Sequence, residues 1–226
     1  RFNLQHQPTE PFVLTGAVQF LQSNLRSPTH NYHLPVTNYP LPSIGRISSG
    51  GLLPGGSSDA SIYRLEDLTG NTPLQLAEVA TFLEQMPSWR LWQLMNVRYV
   101  VARPETGGPG LTPVLAGEDV TVFEMGDPFE RAWLVSETVL EPDPRQALTR
   151  LAGDAFDLRR AAVVAKPLGA TLADASEATA TITDSSPTRL AVQVETTGPH
   201  LLVISQIFDP GWQARLDGQP VELLRV

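Results

Sequence analysis

The pattern of apolar and polar positions from His200 to Val226 predicts three strands and two turns. The first run, His200 to Phe208 (HLLVISQIF), is the most apolar of the three. Asp209-Pro210-Gly211 follows it, placing a proline-fixed φ beside a residue that tolerates positive φ, so the chain reverses there. Trp212, Ala214 and Leu216 then alternate with Gln213 and Arg215, the period of a strand with one buried and one wet face. Asp217-Gly218 suits a type I′ hairpin, where both central residues need positive φ. Upstream, Ala178, Ala180 and Ile182 alternate with threonines, and Leu190, Val192 and Val194 with Arg189, Gln193 and Glu195. From Glu177 onward only strands are expected, forming with the terminal three an antiparallel meander like half of a β-sandwich.

The first part of the chain has a different period. Residues 1–14 show none, and Pro8 and Pro11 interrupt them. Thr15 caps a short helix from Gly16 to about Asn24, with Ala17, Val18, Leu21 and Leu25 on one face. Residues 27–61 are proline- and glycine-rich and loop-like, crossed by short strands near Gly45 to Ser48 and near Ala60 to Leu65. Thr72, Pro73 and Gln75 form a capping box, after which Leu76, Val79, Ala80, Leu83 and Met86 make one helical stripe ending at Pro87. Ser88 to Asn96 predicts a second short helix, with Trp89 and Trp92 packed between layers. Val97 to Val101 turns directly into a strand. Arg103 to Gly110 reads as a linker. Strands are expected at Leu111–Leu115, Val120–Met125, Arg131–Thr138 and Ala161–Ala165, and a capped helix begins at Asp143-Pro144 with Ala147, Leu148 and Leu151 inward. The fold class is therefore α+β. A small α/β N-terminal layer (residues 1–104) precedes a mainly antiparallel, β-sandwich-like domain (residues 111–226) that carries one helix.

Composition narrows the functional classes. Sixteen basic against 24 acidic residues give a net charge of −8, which argues against nucleic acid and against adsorption to an anionic bilayer. There is no cysteine, so disulfides, thiolate metal sites and thiol catalysis are excluded. No run approaches the ~18 apolar residues of a membrane helix. The first residue is Arg1 rather than methionine, which leads to the expectation of a piece cut from a longer chain whose membrane segments lie elsewhere.

Candidate chemistry is sparse. Gly50, Gly55 and Gly56-Ser57 have the spacing of a phosphate loop, but glycine stands where its lysine belongs, and a flexible surface loop is the plainer reading. His30 and His33, with His6 upstream, suggest a metal site, yet they lie in a proline-rich loop rather than on the rigid element such ligands use. The acidic neighbours Glu66-Asp67, Glu118-Asp119 and Asp154 with Asp157 read as turn acids. No Gly-x-Ser-x-Gly elbow occurs. Trp212 is the single ligand-binding candidate: after a sharp turn it could stack on a sugar ring, whereas its alternation with Ala214 and Leu216 places it in the core. No catalytic residue, metal ligand or cofactor is expected.

Three stretches in order carry a resemblance: Leu65 to Leu74 (LEDLTGNTPL), Leu94 to Val101 (LMNVRYVV) and Phe208 to Gln219 (FDPGWQARLDGQ). Together with Val122 to Met125, Arg131 to Val135 and Gln146 to Phe156, they make most of the chain resemble the large extracytoplasmic part of YfhO-type bacterial membrane proteins and related polytopic glycosyltransferase-like proteins. These motifs are structural: a helix start, a helix-to-strand join and a hairpin. The resemblance implies a domain outside the bacterial cell membrane, anchored by the membrane-embedded remainder of the same polypeptide. Such a domain would assist acceptor or glycan recognition in transfer from polyprenyl-linked sugars. The presumed catalytic acid of that family has no counterpart here, so the resemblance implies a domain not catalytic by itself. It also implies a further hairpin and a final membrane helix after Val226, leaving one sheet edge incomplete. A stand-alone carbohydrate-binding or adhesion module and a structural scaffold remain the alternatives.

Overall fold

The computed structural model describes residues 15–25, 45–54, 56, 60, 63–70, 76–186 and 188–226. Its elements, in chain order, are α1 (Gly16–Asn24), β1 (Arg46–Ser48), α2 (Ala77–Gln85), α3 (Ser88–Leu94), β2 (Val97–Ala102), β3 (Leu111–Ala116), β4 (Thr121–Met125), β5 (Ala132–Val135), β6 (Glu137–Leu140), α4 (Pro144–Ala152), β7 (Ala161–Val164), β8 (Thr179–Ser186), β9 (Arg189–Glu195), β10 (Leu201–Ile204), β11 (Ala214–Leu216) and β12 (Gln219–Val221). The fold is α+β. Two compact units interleave along the chain, one of residues 1–71 with 98–126 and the other of 72–97 with 127–226.

The first unit holds a four-stranded sheet in the order β1-β2-β4-β3. Arg103–Gly110, expected as a linker, connects two strands of this one sheet, because β2 and β3 both pair antiparallel with β4. Thr15 caps α1 as expected, its hydroxyl accepting from the Val18 amide at 3.4 Å. The predicted face, Ala17, Val18, Leu21 and Leu25, is buried with Ile47, Val101 and Val122. Phe20 meets Tyr99 edge-on, ring centroids 5.5 Å apart. Among the described residues between Ala60 and Leu65 none is in a strand: Tyr63 and Arg64 make a turn, with Arg64 at φ 58, and further on Asp67 bridges Ile47 in parallel.

In the second unit α2 begins at Ala77 after an extended Leu76 that makes no side-chain cap bond, a later start than the capping box predicts. Thr72 to Gln75 lie outside the described residues. Val79, Ala80 and Leu83 are half-buried and Met86 is buried, but Leu76 is exposed. α3 passes into β2 through Asn96, whose φ of 55 is a left-handed conformation that asparagine tolerates; its buried amide donates to the Phe129 carbonyl. Trp89 and Trp92 are half-buried. The expected strand at Arg131–Thr138 is broken at Ser136 into β5 and β6, which take different partners. β6 pairs with β7 in parallel, the crossover being α4, capped as predicted by Asp143 through the Arg145 and Gln146 amides.

The expected continuous meander does not form. β8 and β9 make a hairpin by themselves, β10 pairs with β5, and β11 pairs only with β12. β5 is nearly fully buried and needs an apolar partner, which the Leu201–Ile204 run supplies, so β10 is drawn away from β9. Val135, Ala162 and Val203 form the core there, with Trp133 and Leu201 against them. β10 stops at Ile204, and Ile207 and Phe208 are exposed rather than continuing the strand. Asp217 and Gly218, at φ 49 and 83, form the positive-φ turn that the sequence predicts. Leu216, expected inside, is 62% exposed, because no second layer covers that face of the hairpin among the described residues. No described helix is long and apolar enough to cross a membrane.

Candidate functional site: a hydrogen-bonding cavity in the second unit

A concavity of about 560 Å3 lies in the second unit and is lined by residues from three separate segments. Leu134 lies in β5, Ser136 is the break that follows it, and Glu137 opens β6. Arg159 and Arg160 lead into β7, and residues 172–176 supply the opposite wall. Parallel pairing sets Glu137 against Ala161 in register. The Ser136 and Glu137 amides both donate to the Arg160 carbonyl, at 3.1 and 3.0 Å, so the β5–β6 break and the β7 entrance are held together.

The two arginines are fixed differently. A turn built on Asp157 presents them: its carboxylate accepts from the Arg159 amide at 3.0 Å and its carbonyl from the Arg160 amide at 3.2 Å. Arg159 donates to Asp127 at 2.6 Å, and its guanidinium carbon sits 4.2 Å from the Phe129 ring centroid. Arg160 places both Nε and Nη2 on one oxygen of Glu137, at 3.0 and 2.6 Å. This pair is solvent-accessible, with Arg160 66% and Glu137 51% exposed at the side chain.

The facing wall is tied to the β9–β10 turn. The Ala173 amide donates to the Pro199 carbonyl at 2.8 Å, and the His200 Nε2 lies 3.0 Å from the Asp174 carbonyl. The other His200 nitrogen is 2.7 Å from the Thr196 hydroxyl and 2.8 Å from the Gly198 carbonyl. Gly198 is required by proximity, since a Cβ there would stand 2.8 Å from that of Ala173. Within the wall Asp174 accepts from the Ser176 amide at 3.0 Å, a self-supporting turn.

Among the described residues, the Ser136 and Ser176 hydroxyls, the second Glu137 oxygen, the second Asp174 oxygen and the Arg160 Nη1 make no hydrogen bond within the protein. The cavity thus offers three kinds of group: acceptors that carry charge, a donor that carries charge, and hydroxyls that do both.

The sequence-level candidates fall elsewhere. Trp212 is half-buried at the end of the turn in which its amide donates to the Asp209 carbonyl at 3.0 Å; it is neither a core residue nor a bare platform, and it does not line the cavity. The Gly50 and Gly51 amides donate to the hydroxyls of Thr69 and Ser49, at 3.0 and 3.3 Å. The Asp67 carboxylate accepts from the Ser49 amide and hydroxyl and from the Thr69 amide and hydroxyl. The Gly50 and Gly51 amides are therefore engaged by hydroxyls and are not open to a phosphate. Gly55, Ser57, His6, His30 and His33 lie outside the described residues. No group of three or more histidines and carboxylates placed to hold a metal ion occurs among the described residues. Glu118 and Asp119 are exposed in the β3–β4 turn. Comparison with family models, with characterised proteins and with solved structures finds no match to this chain.

Proposed function

We propose that the chain is an outward-facing domain of a polytopic membrane protein resembling lipid-linked-sugar glycosyltransferases, and that it assists recognition of an acceptor or glycan without being catalytic itself. The observation that carries this reading is the cavity whose lining includes Ser136, Glu137, Arg160 and Ser176, residues that carry donors and acceptors without protein partners. Sugar hydroxyls, which donate and accept in equal measure, complement such a lining. The sequence stretches at Leu65, Leu94 and Phe208 supply the expected setting at the cell envelope.

Two assays test it together. The 226-residue chain is expected to co-sediment with insoluble bacterial cell-wall glycan and to show no transfer when given a polyprenyl-phosphate sugar and that glycan. Failure to sediment rejects the recognition role, and turnover by the chain alone rejects the non-catalytic one.

A further inference from the structure

We infer that the cavity takes a neutral sugar bearing adjacent hydroxyls, and that the Arg160–Glu137 pair is the element that reads it. This inference rests on the glycan-recognition reading above and specifies the class of glycan.

Charge is the first argument. Two arginines and two carboxylates, Arg159 and Arg160 with Glu137 and Asp174, line the cavity. Arg159 is further neutralised by Asp127 at 2.6 Å. An anionic ligand, whether a uronate or a phosphate-bearing sugar, would find no net positive field, and it would have to displace Glu137 from Arg160 or sit beside two carboxylates. A neutral ligand meets no such penalty.

Geometry is the second argument. Arg160 spends Nε and Nη2 on a single Glu137 oxygen, which holds both planar groups while leaving the other oxygen and Nη1 without a protein partner. An open carboxylate oxygen and an open guanidinium nitrogen on one ion pair match two neighbouring hydroxyls, one donating and one accepting. The Ser136 and Ser176 hydroxyls extend the pattern from two walls. The volume, about 560 Å3, lies in the range of small-molecule sites and holds one or two sugar rings. No aromatic residue lines the cavity, so recognition depends on hydrogen bonds and their loss is measurable.

The test is a nuclear magnetic resonance titration of the 226-residue chain with four probes: a neutral glucose oligosaccharide, a neutral N-acetylglucosamine oligosaccharide, an oligouronate and a sugar phosphate. Glu137→Gln and Arg160→Ala are run alongside. An exposed ion pair contributes little to stability, so both variants stay folded, which their amide spectra verify. At least one neutral probe is expected to shift the Ser136 and Ser176 amides, with little salt dependence. Either substitution is expected to weaken that binding about tenfold, the effect of one lost charge-assisted hydrogen bond. Preference for the oligouronate or sugar phosphate overturns the inference while leaving glycan recognition standing. Neutral-sugar binding that both variants retain also overturns it, since the ligand then sits elsewhere. Absence of binding by every probe overturns the inference through loss of the glycan-recognition reading itself.

Discussion

Replacing Arg90 tests how the second unit is held together. Arg90 is 6% exposed on α3, and its Nη2 donates to the Gly153 carbonyl at 2.6 Å and to the Phe156 carbonyl at 3.4 Å. Its Nη1 reaches Gln93 at 3.2 Å, and the guanidinium carbon lies 4.5 Å from the Trp89 ring centroid. Gly153 is the C-cap of α4, so a cation sits where the helix leaves its carbonyls unsatisfied and its dipole is negative. Burial pulls the guanidinium below its usual range, with Asp154 and Asp157 opposing that shift. The 2.6 Å bond is worth about 2 kcal/mol as a charge-assisted contact, and the two longer ones about 0.5 kcal/mol each at most. The buried stem adds roughly 0.8 kcal/mol per methylene. Against these stands the desolvation of the charge, including Nε, which has no partner. Arg90→Ala loses bonds and stem and is expected to cost about 3 kcal/mol. Arg90→Met keeps a stem and removes the desolvation penalty, so it costs about 1 kcal/mol. All four tryptophans, Trp89, Trp92, Trp133 and Trp212, belong to this unit, so urea unfolding followed by tryptophan fluorescence reports its stability selectively. An Arg90→Ala midpoint equal to that of the parent, or a methionine variant less stable than the alanine one, refutes the clamp.

The Tyr99 phenol is raised above its ordinary range by burial first and by Glu124 second, with Arg98 pulling against them. Its contribution to folding is therefore complete below the unfolded phenol value near ~10 and is lost as pH rises through the folded value. Ultraviolet titration is expected to show a late-ionising tyrosine that Tyr99→Phe removes; an unchanged curve refutes it. Asp143→Ala deletes the cap that accepts from the Arg145 amide at 2.8 Å and should cost about 1 kcal/mol by the same denaturation assay, against no change if α4 holds by packing alone. Asp67→Ala leaves the Ser49 and Thr69 amides without their acceptor and should destabilise the first unit by about 2 kcal/mol, measured by the midpoint of thermal unfolding in circular dichroism.

What the sequence made legible is what short-range chemistry decides. Thr15 and Asp143 announce their helices because a cap and its orphan amides lie within one turn. Asp217-Gly218 announces its turn because positive φ is a property of those two residues. The misreadings occur where a distant partner decides. The apolar Leu201–Ile204 run is a strand by pattern, but β5 rather than β9 is its neighbour, and no alternation within the run distinguishes the two. Arg103 to Gly110 has the composition of a linker, and a turn between strands of one sheet has the same composition.

The cavity lay beyond reach for a further reason: its chemistry is dispersed. Ser136 and Glu137 look like an ordinary strand junction, Arg159 and Arg160 like a solvated basic pair, and residues 172–176 like a loop without periodicity. Only the parallel β6–β7 pairing brings Glu137 to Arg160, and that pairing requires α4 as a crossover between them. Trp212, by contrast, drew attention because a tryptophan after a turn is conspicuous along the chain; it is half-buried and stands outside the cavity lining. A site made of serines, an arginine and a glutamate on three segments has no local signature, since each residue type is common on surfaces and acquires meaning only from its neighbours in space. The hydrogen bonds left open around the Arg160–Glu137 pair are therefore the informative feature, and they emerge only once the register of two strands is known.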